Sequence, residues 1–361
     1  MNGKDSVRSF ESQTGRTRIV FGSGTVQGLA DELTRLEAHH ALVLSTPGQA
    51  ALAHRIGDVL GGKTAGLFSE AVMHTPIDVT DRAAAYLQQV GADGVVAVGG
   101  GSTTGLGKAL ASRTGLPHLV LPTTYAGSEV TPVLGETAAG MKTTRSSPTI
   151  QPDTVIYDVD LTLTLPWLVS LTSAVNAMAH AVEALYAAER TEVSDQMATD
   201  SLVALSTGLR DLYVNRGSVE ARSELLYGAW LAGACLSAVG MGLHHKLCHT
   251  LGGSFGLPHA PTHTVVLPYA MAYNQPAAPA AVAAAAAALN VAEGPAGLQS
   301  LIQSLEGPAD LAALGFAIED VPRAADLAAA RPYPNPREVT KEGVAQLLQR
   351  ATTGAPIEGD R

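Results

Sequence analysis

VVAVGGGSTTGLGKALA, the stretch from Val95 to Ala111, decides the fold. Four apolar residues suited to a buried strand, Val95 to Val98, run straight into Gly99, Gly100 and Gly101, and a helix-length segment opens at once with Ser102 and Thr103. A strand that turns through glycines into a helix is the unit from which parallel α/β sheets are wound. Glycine lets the backbone come close to a pyrophosphate, and the first N–H groups of the following helix face that anion with the positive end of the helix dipole. The spacing departs from G-x-G-x-x-G. Taken alone, a plain tight turn explains the stretch as well as a dinucleotide does.

The same rhythm extends on both sides. Short β-branched runs at Ile19 to Phe21, Ala41 to Ser45 and Leu119 to Leu121 alternate with amphipathic segments at Val26 to Leu36, Ala51 to Leu60, Val79 to Val90 and Thr104 to Ser112. After Asp158 the pattern changes to helical periods, with long stretches at Leu171 to Ala188, Ser194 to Leu212 and Glu220 to Val239. We therefore expect an α/β, Rossmann-like domain over residues 1–160 and an all-helical domain over residues 161–361. The Ala-rich run near 277 to 288 reads as a helix in a tight space, because alanine forms helices best and lets a neighbour approach. Pro332 to Pro336 should interrupt the last helices, and Thr353 to Arg361 should form a frayed tail.

A second segment of the first half strengthens the dinucleotide reading. LPTTYAGSEVT follows another short strand and offers the hydroxyls of Thr123, Thr124, Tyr125 and Ser128 to phosphate, ribose or nicotinamide amide. An ordinary polar turn is the alternative. Lys142 is a candidate for ribose or phosphate, or a surface charge. The second strand ends LVLSTPGQ, with Ser45 and Thr46 where an Asp or Glu would hold a ribose 2′-hydroxyl. With no carboxylate there to repel a 2′-phosphate, NADPH is expected to be accepted as well as NADH.

The formal net charge of −10 disfavours nucleic acid and anionic membrane as partners. Two cysteines, Cys235 and Cys248, are too few for a disulfide scaffold. Nothing resembles an export signal, and the Ala run is too short to span a bilayer. A cytoplasmic location is the expectation.

Three segments of the second half carry chemistry: SAVNAMAHAVEALY, GLHHKLCHTLGGSF and LPHAPTHTVVLP. Asn176 and His180 are four apart, on one face of a helix, and His245 and His249 repeat the arrangement. His259 follows a glycine-rich loop. A lone helical histidine is usually a packed or surface residue, but two such pairs with PHAPTH suggest convergence on one pocket. A divalent metal is the first reading, since neutral imidazole binds Fe and Zn well. Asn176 argues against it, because an amide oxygen gives a dication no anionic counterweight.

GGGST, PTTYAGSE, the Asn176/His180 pair, HHKLCHTLGG and LPHAPTH, in that order, resemble the iron-containing (group III) alcohol dehydrogenases over nearly the whole chain, a fold shared with dehydroquinate synthase. Metal-using members hold their ion with one Asp and three His; the matching positions here are Asn176, His180, His245 and His259, so the Asp is missing. The maleylacetate reductase branch is similar and carries the Asn, and it matches further at Thr172 to Ala187, Gly228 to Pro268 and Asn335 to Val339. Tyr269 departs from it where many relatives have His.

The resemblance implies reduction of the conjugated C=C of maleylacetate, a small unsaturated oxo-dicarboxylate, to 3-oxoadipate by NADH or NADPH. This is a late step of aromatic-ring degradation, in a homodimer and without a required metal. With histidines taking the place of the ion, we expect His249 to be the proton donor or relay nearest the nicotinamide, His245 to orient substrate or stabilise the enolate, and His180, His259 and Lys246, beside Asn176, to bind substrate. The alternatives are a metal-dependent (Fe or Zn) alcohol or aldehyde dehydrogenase and a dehydroquinate-synthase-like cyclase.

Overall fold

The computed structural model describes residues 7–138 and 141–358, and the chain divides into two compact units, Met1–Leu165 and Pro166–Arg361. In the first, the strands are β1 (Phe10–Thr14), β2 (Thr17–Gly22), β3 (Ala41–Leu44), β4 (Thr64–Phe68), β5 (Gly94–Gly99), β6 (His118–Pro122), β7 (Val133–Ala138), β8 (Met141–Ser146) and β9 (Thr154–Asp158). Helices α1 (Leu29–Arg35), α2 (Ala50–Leu60), α3 (Ile77–Gln89) and α4 (Gly101–Thr114) connect them. Seven strands form one sheet in the order β1-β2-β9-β6-β5-β3-β4, while β7 and β8 make a separate antiparallel hairpin. Every pair in the large sheet is parallel except β1 with β2.

This order locates the ligand crevice. The chain steps from β3 outward to β4, then returns to β5 on the other side of β3. Ligands of open α/β sheets bind beyond the carboxyl ends of the strands at such a reversal. Here that point lies between the ends of β3 and β5. The sheet is rigid because β3, β5 and β6 are fully buried, with Val96, Val98, Leu119 and Leu121 packed against Leu29, Leu33 and Ile56 of the flanking helices.

Sequence periodicity located four strands and overlooked the others. β1 and β8 are polar, β7 is mixed and β4 contains Gly66, so none reads as a core strand, whereas β9 is a short, fully buried apolar run, TVIYD, that went unread. The first helix begins at Leu29 instead of Val26, because Thr25–Gly28 forms a 3-10 turn after the left-handed Gly24.

The second unit contains α5 (Trp167–Ala184), α6 (Glu192–Val214), α7 (Val219–Ala238), α8 (Leu243–Phe255), α9 (His259–Asn274), α10 (Pro279–Leu289), α11 (Pro295–Ser304), α12 (Val321–Ala329) and α13 (Lys341–Thr353), with no strand among the described residues. In α5 every residue from Ser170 to Ala184 is buried. A helix buried all round belongs at the centre of a bundle, and α6, α7 and α9 pack against it. The Ala-rich α10 packs on α6, and Ser206 donates to the carbonyl of Leu289 at its end. Among the described residues no single helix is long and apolar enough to cross a membrane.

The expected frayed tail is corrected in part. After Gly354 turns left-handed, the carbonyl of Ala355 accepts from Tyr269 and Gln299, the Ile357 N–H donates to Gln299, and Ile357 is buried. Backbone hydrogen bonds to buried polar side chains hold this segment, a signal that composition does not carry. Residues 359–361 lie outside the described residues.

Candidate active site

In the first unit, three loops lie side by side at the carboxyl ends of β6, β5 and β3. Gly99 closes β5 with φ 151°, Gly100 is the N-cap of α4, and Gly101, Ser102 and Thr103 form its first turn. A Cβ on Gly99 would meet Thr103 Oγ1 at 2.6 Å and Gln49 Oε1 at 2.7 Å, so only glycine fits there. A Cβ on Gly101, by contrast, would meet nothing within 4 Å. The helix start is therefore open where an anion would approach, and it fits a dinucleotide pyrophosphate.

The hydroxyl-bearing loop is tied to this turn. The Thr123 N–H donates to the carbonyl of Gly99 at 3.0 Å, and a Cβ on Gly100 would touch Thr124 at 3.0 Å. Thr46 follows β3 and donates to Gln49 Oε1 at 3.3 Å, while Gln49 Nε2 donates to Thr123 Oγ1 at 2.9 Å. Gln49, which sequence reading passed over, thus spans the loops after β3 and β6. Tyr125 is fully buried, so its ring belongs to the body of the loop, and Ser128 is half-buried. Lys142 lies on β8, but its side chain falls outside the described residues.

Beneath this loop sits a second overlooked group. Lys108 of α4 is buried and donates to the carbonyls of Ser128 (2.7 Å) and Val133 (3.0 Å) and to Thr131 Oγ1 (3.0 Å). Burial lowers its pKa to about 7, against the opposing charge of Glu129. Glu129 is itself raised by burial, although Tyr157 donates to it at 2.8 Å. Lys108 thus ties the segment from Ser128 to Val133 to helix α4.

In the second unit, α5, α8 and α9 bring a layer of imidazoles together. His180 of α5 lies 4.9 Å from His245 of α8, centroid to centroid, and His245 lies 5.1 Å from His263 of α9. His244 packs 4.8 Å from His263, and His259 lies 4.3 Å from His263. His249, 6.2 Å from His245, is exposed. Asn176 is buried one turn before His180 on the same face of α5. Lys246 is half-buried on α8, turned about 100° from His245 by the helical step.

The electrostatics divide this layer. Burial, then the neighbouring imidazoles, hold His180 and His263 well below the ordinary histidine value, and His244 is lowered to about 4 by burial and then by His245. These rings are neutral. His245 differs, because its Nδ1 lies 2.6 Å from Glu183 Oε2. Burial alone would raise Glu183, but the hydrogen bond and charge of His245 and the His244 N–H outweigh it, leaving the carboxyl below its usual range. Glu183 is therefore the acceptor, His245 Nδ1 carries the proton, and Nε2 is the atom presented. That Nε2, His180 Nδ1 and both ring nitrogens of His263 are buried with no protein partner among the described residues. Unsatisfied buried nitrogens in one layer mark a site that solvent or ligand completes.

Glu183, His244 and His263 were missed from sequence. Glu183 follows His180 by three residues and His263 follows His259 by four, same-face spacings that were both available as signals; His244 stands inside HHKLCH beside His245 and shares no i,i+4 pair with the chosen histidines. Glu183 also lines a cavity of about 270 Å³ with Tyr186, Gly240, Gly242 and Asn335.

The donor set fits a metal poorly. His244, His245 and His263 have ring nitrogens within 4.8 Å of one another. Yet His244 turns Nε2 to the carbonyl of His263, His245 Nδ1 is committed to Glu183, and the position beside His180 is an amide. Neutral imidazoles without a free carboxylate leave a dication uncompensated.

Residues 16–159 match the iron-containing alcohol dehydrogenase model, and residues 170–352 match the C-terminal model of the Fe-containing alcohol dehydrogenase family. The chain is 51% identical over 337 residues to maleylacetate reductase 1 of Rhodococcus opacus, covering 93% of this chain and 94% of that protein. It is 52% identical over 352 residues to the maleylacetate reductase of Rhizobium sp. strain MTP-10005, covering 98% and 100%. The crystal structure of the Rhizobium protein superposes with a TM-score of 0.90, covering 97% of this chain and 99% of that one. The maleylacetate reductase structure from Agrobacterium tumefaciens, 50% identical, gives 0.91 over the same shares.

Proposed function

The chain belongs to the iron-containing alcohol dehydrogenase family, and from that premise we propose that it is a maleylacetate reductase, converting maleylacetate to 3-oxoadipate at the expense of NADH or NADPH. About half-identity to maleylacetate reductases along nearly the whole chain supports this substrate. A cytoplasmic location and a homodimeric state belong to the same proposal.

The dinucleotide, when bound, supplies a hydride. The open turn at Gly101 and the hydroxyls of Ser102, Thr123 and Thr124 would hold its phosphates and ribose, with Gln49 and Lys108 fixing the loops. Addition of hydride to the alkene carbon farther from the ketone moves an electron pair onto the ketone oxygen, and one proton must then reach the neighbouring carbon. Stabilising that oxyanion in a dry, preorganised site is the larger part of the catalysis. His245 Nε2 is suited to it, with His249 at the exposed edge to exchange protons with water. His180 and His259 with Asn176 and Lys246 orient the two carboxylates.

No step is routed through a metal. The observation that carries this reading is the buried imidazole layer, in which the carboxylate of Glu183 is already engaged by His245. A metal-dependent alcohol dehydrogenase is the second reading, supported by the proximity of His244, His245 and His263. The test is chelator-treated protein mixed with NADH and maleylacetate, followed at the nicotinamide absorbance band. Prompt oxidation of NADH is expected. Turnover that appears only with alcohols, after Fe or Zn is restored, would sink the proposal.

A further inference from the structure

Glu183 occupies an unusual position. Its carboxylate sits at the start of α8, accepting from the backbone N–H groups of Gly242 at 3.1 Å and His244 at 2.9 Å, with that of His245 at 3.4 Å, besides the 2.6 Å bond from His245 Nδ1. The side chain is fully buried. A carboxylate bound by several amides at a helix N-terminus cannot swing away. It therefore imposes its geometry on the imidazole.

We infer that Glu183 is a positioning residue for the reduction: it fixes His245 through Nδ1 so that Nε2 faces the reacting ketone, and supplies the negative charge that balances the ring while Nε2 carries a proton. Three features make the pair selective. Glu183 reaches the layer at His245, whereas His244 directs Nε2 to a backbone carbonyl and His263 has no partner among the described residues for either ring nitrogen. The pair comes from different helices, α5 and α8, so its geometry is set by packing. A protonated imidazole in this buried layer needs a compensating charge within contact distance, and Glu183 provides it.

The step balances. Hydride leaves the dinucleotide with two electrons and forms the first new C–H bond. The Nε2–H bond then breaks with its electron pair remaining on nitrogen, and the enolate pair takes that proton to form the second C–H bond. His245 returns to the neutral Nδ1–H ring, still held by Glu183, and regains its proton from water.

The inference rests on the reductase reading, and two experiments keep the fates of the two separate. The first is a double-mutant cycle with Glu183→Gln and His245→Gln, assayed with NADH and maleylacetate, each variant checked by thermal melting. Each single change is expected to lower kcat at least about 100-fold with KM within about threefold. If Glu183 acts through His245, adding Glu183→Gln to His245→Gln changes kcat by less than about threefold. Glu183→Asp should recover part of the loss. Independent, multiplying losses, or near-normal kcat in Glu183→Gln, overturn the inference while wild-type turnover leaves the reductase reading intact.

The second experiment needs no substrate and no folded variant of Glu183. Histidine-selective ¹⁵N NMR of the wild type at mildly alkaline pH, with the His245 signals identified by their loss in His245→Gln, should find Nδ1 protonated. A His245 ring protonated at Nε2 and bare at Nδ1 overturns the inference, whatever the enzyme reduces.

Discussion

His245 and His249 lie one turn apart on α8, yet one is buried against a carboxylate and the other is exposed. Spacing alone makes them a symmetric pair; their surroundings make them unlike. The same contrast applies to the loop after β3. Ser45 is buried and donates to Ser69, so Thr46 is the half-buried hydroxyl at the crevice, and the adjoining sequence LVLSTPGQ carries no acid. A carboxylate placed there repels a 2′-phosphate and accepts from a 2′-hydroxyl. Thr46→Asp is expected to weaken NADPH binding at least about tenfold relative to NADH, as one unfavourable charge contact of about 1.4 kcal/mol would give. Paired fluorescence titrations of the two cofactors check this, and equal changes for both would remove Thr46 from the ribose site.

Elements are placed by close contacts that periodicity cannot express. Helix α4 lies so close to the sheet that a Cβ on Gly107 would come within 2.2 Å of His118 Nε2 and 3.1 Å of the Ala97 Cβ. His118 and Ala97 sit on adjacent strands, β6 and β5, so a side chain at 107 can be accommodated only if the helix shifts off the sheet or those residues give way. Gly107→Ala should destabilise the protein by about 1–3 kcal/mol through overpacking and weaken NADH binding by shifting the phosphate turn six residues upstream. A urea titration with a parallel NADH titration reads both effects, and an unchanged midpoint would show that the helix can move. The strands that sequence reading found, β2, β3, β5 and β6, are apolar runs with buried faces. Of those it overlooked, β1 and β4 are polar or interrupted and become strands because a neighbour offers hydrogen bonds, whereas β9 is a buried apolar run between β2 and β6.

At the scale of the whole molecule, four buried histidines are held neutral. His118 is lowered to about 3 by burial and then by Lys108, His244 to about 4, and His180 and His263 well below the ordinary value. In the unfolded chain each returns to its ordinary value of 6.5. Below that pH the unfolded state binds protons that the folded state refuses, so stability is fully present above 6.5 and falls as pH drops toward the folded values. At about pH 5.5 each such ring costs about 1 kcal/mol relative to neutral pH. The urea midpoint should therefore fall clearly between about pH 7 and pH 5, and a flat midpoint would mean that these rings are not buried neutral.

The sequence by itself determined the wound α/β half, the helical half, the glycine turn into α4, and most of the histidines of the layer, because these depend on periodicity and on short motifs within one element. Only the tertiary structure decided that the sheet reverses between β3 and β5, that Gln49 and Lys108 brace the cofactor loops, and that Glu183 singles out His245. Each of those is a contact between segments far apart in the chain, whose geometry is fixed by packing, hydrogen bonding and burial acting together. Local spacing contains no information about which distant group will be there to accept the proton.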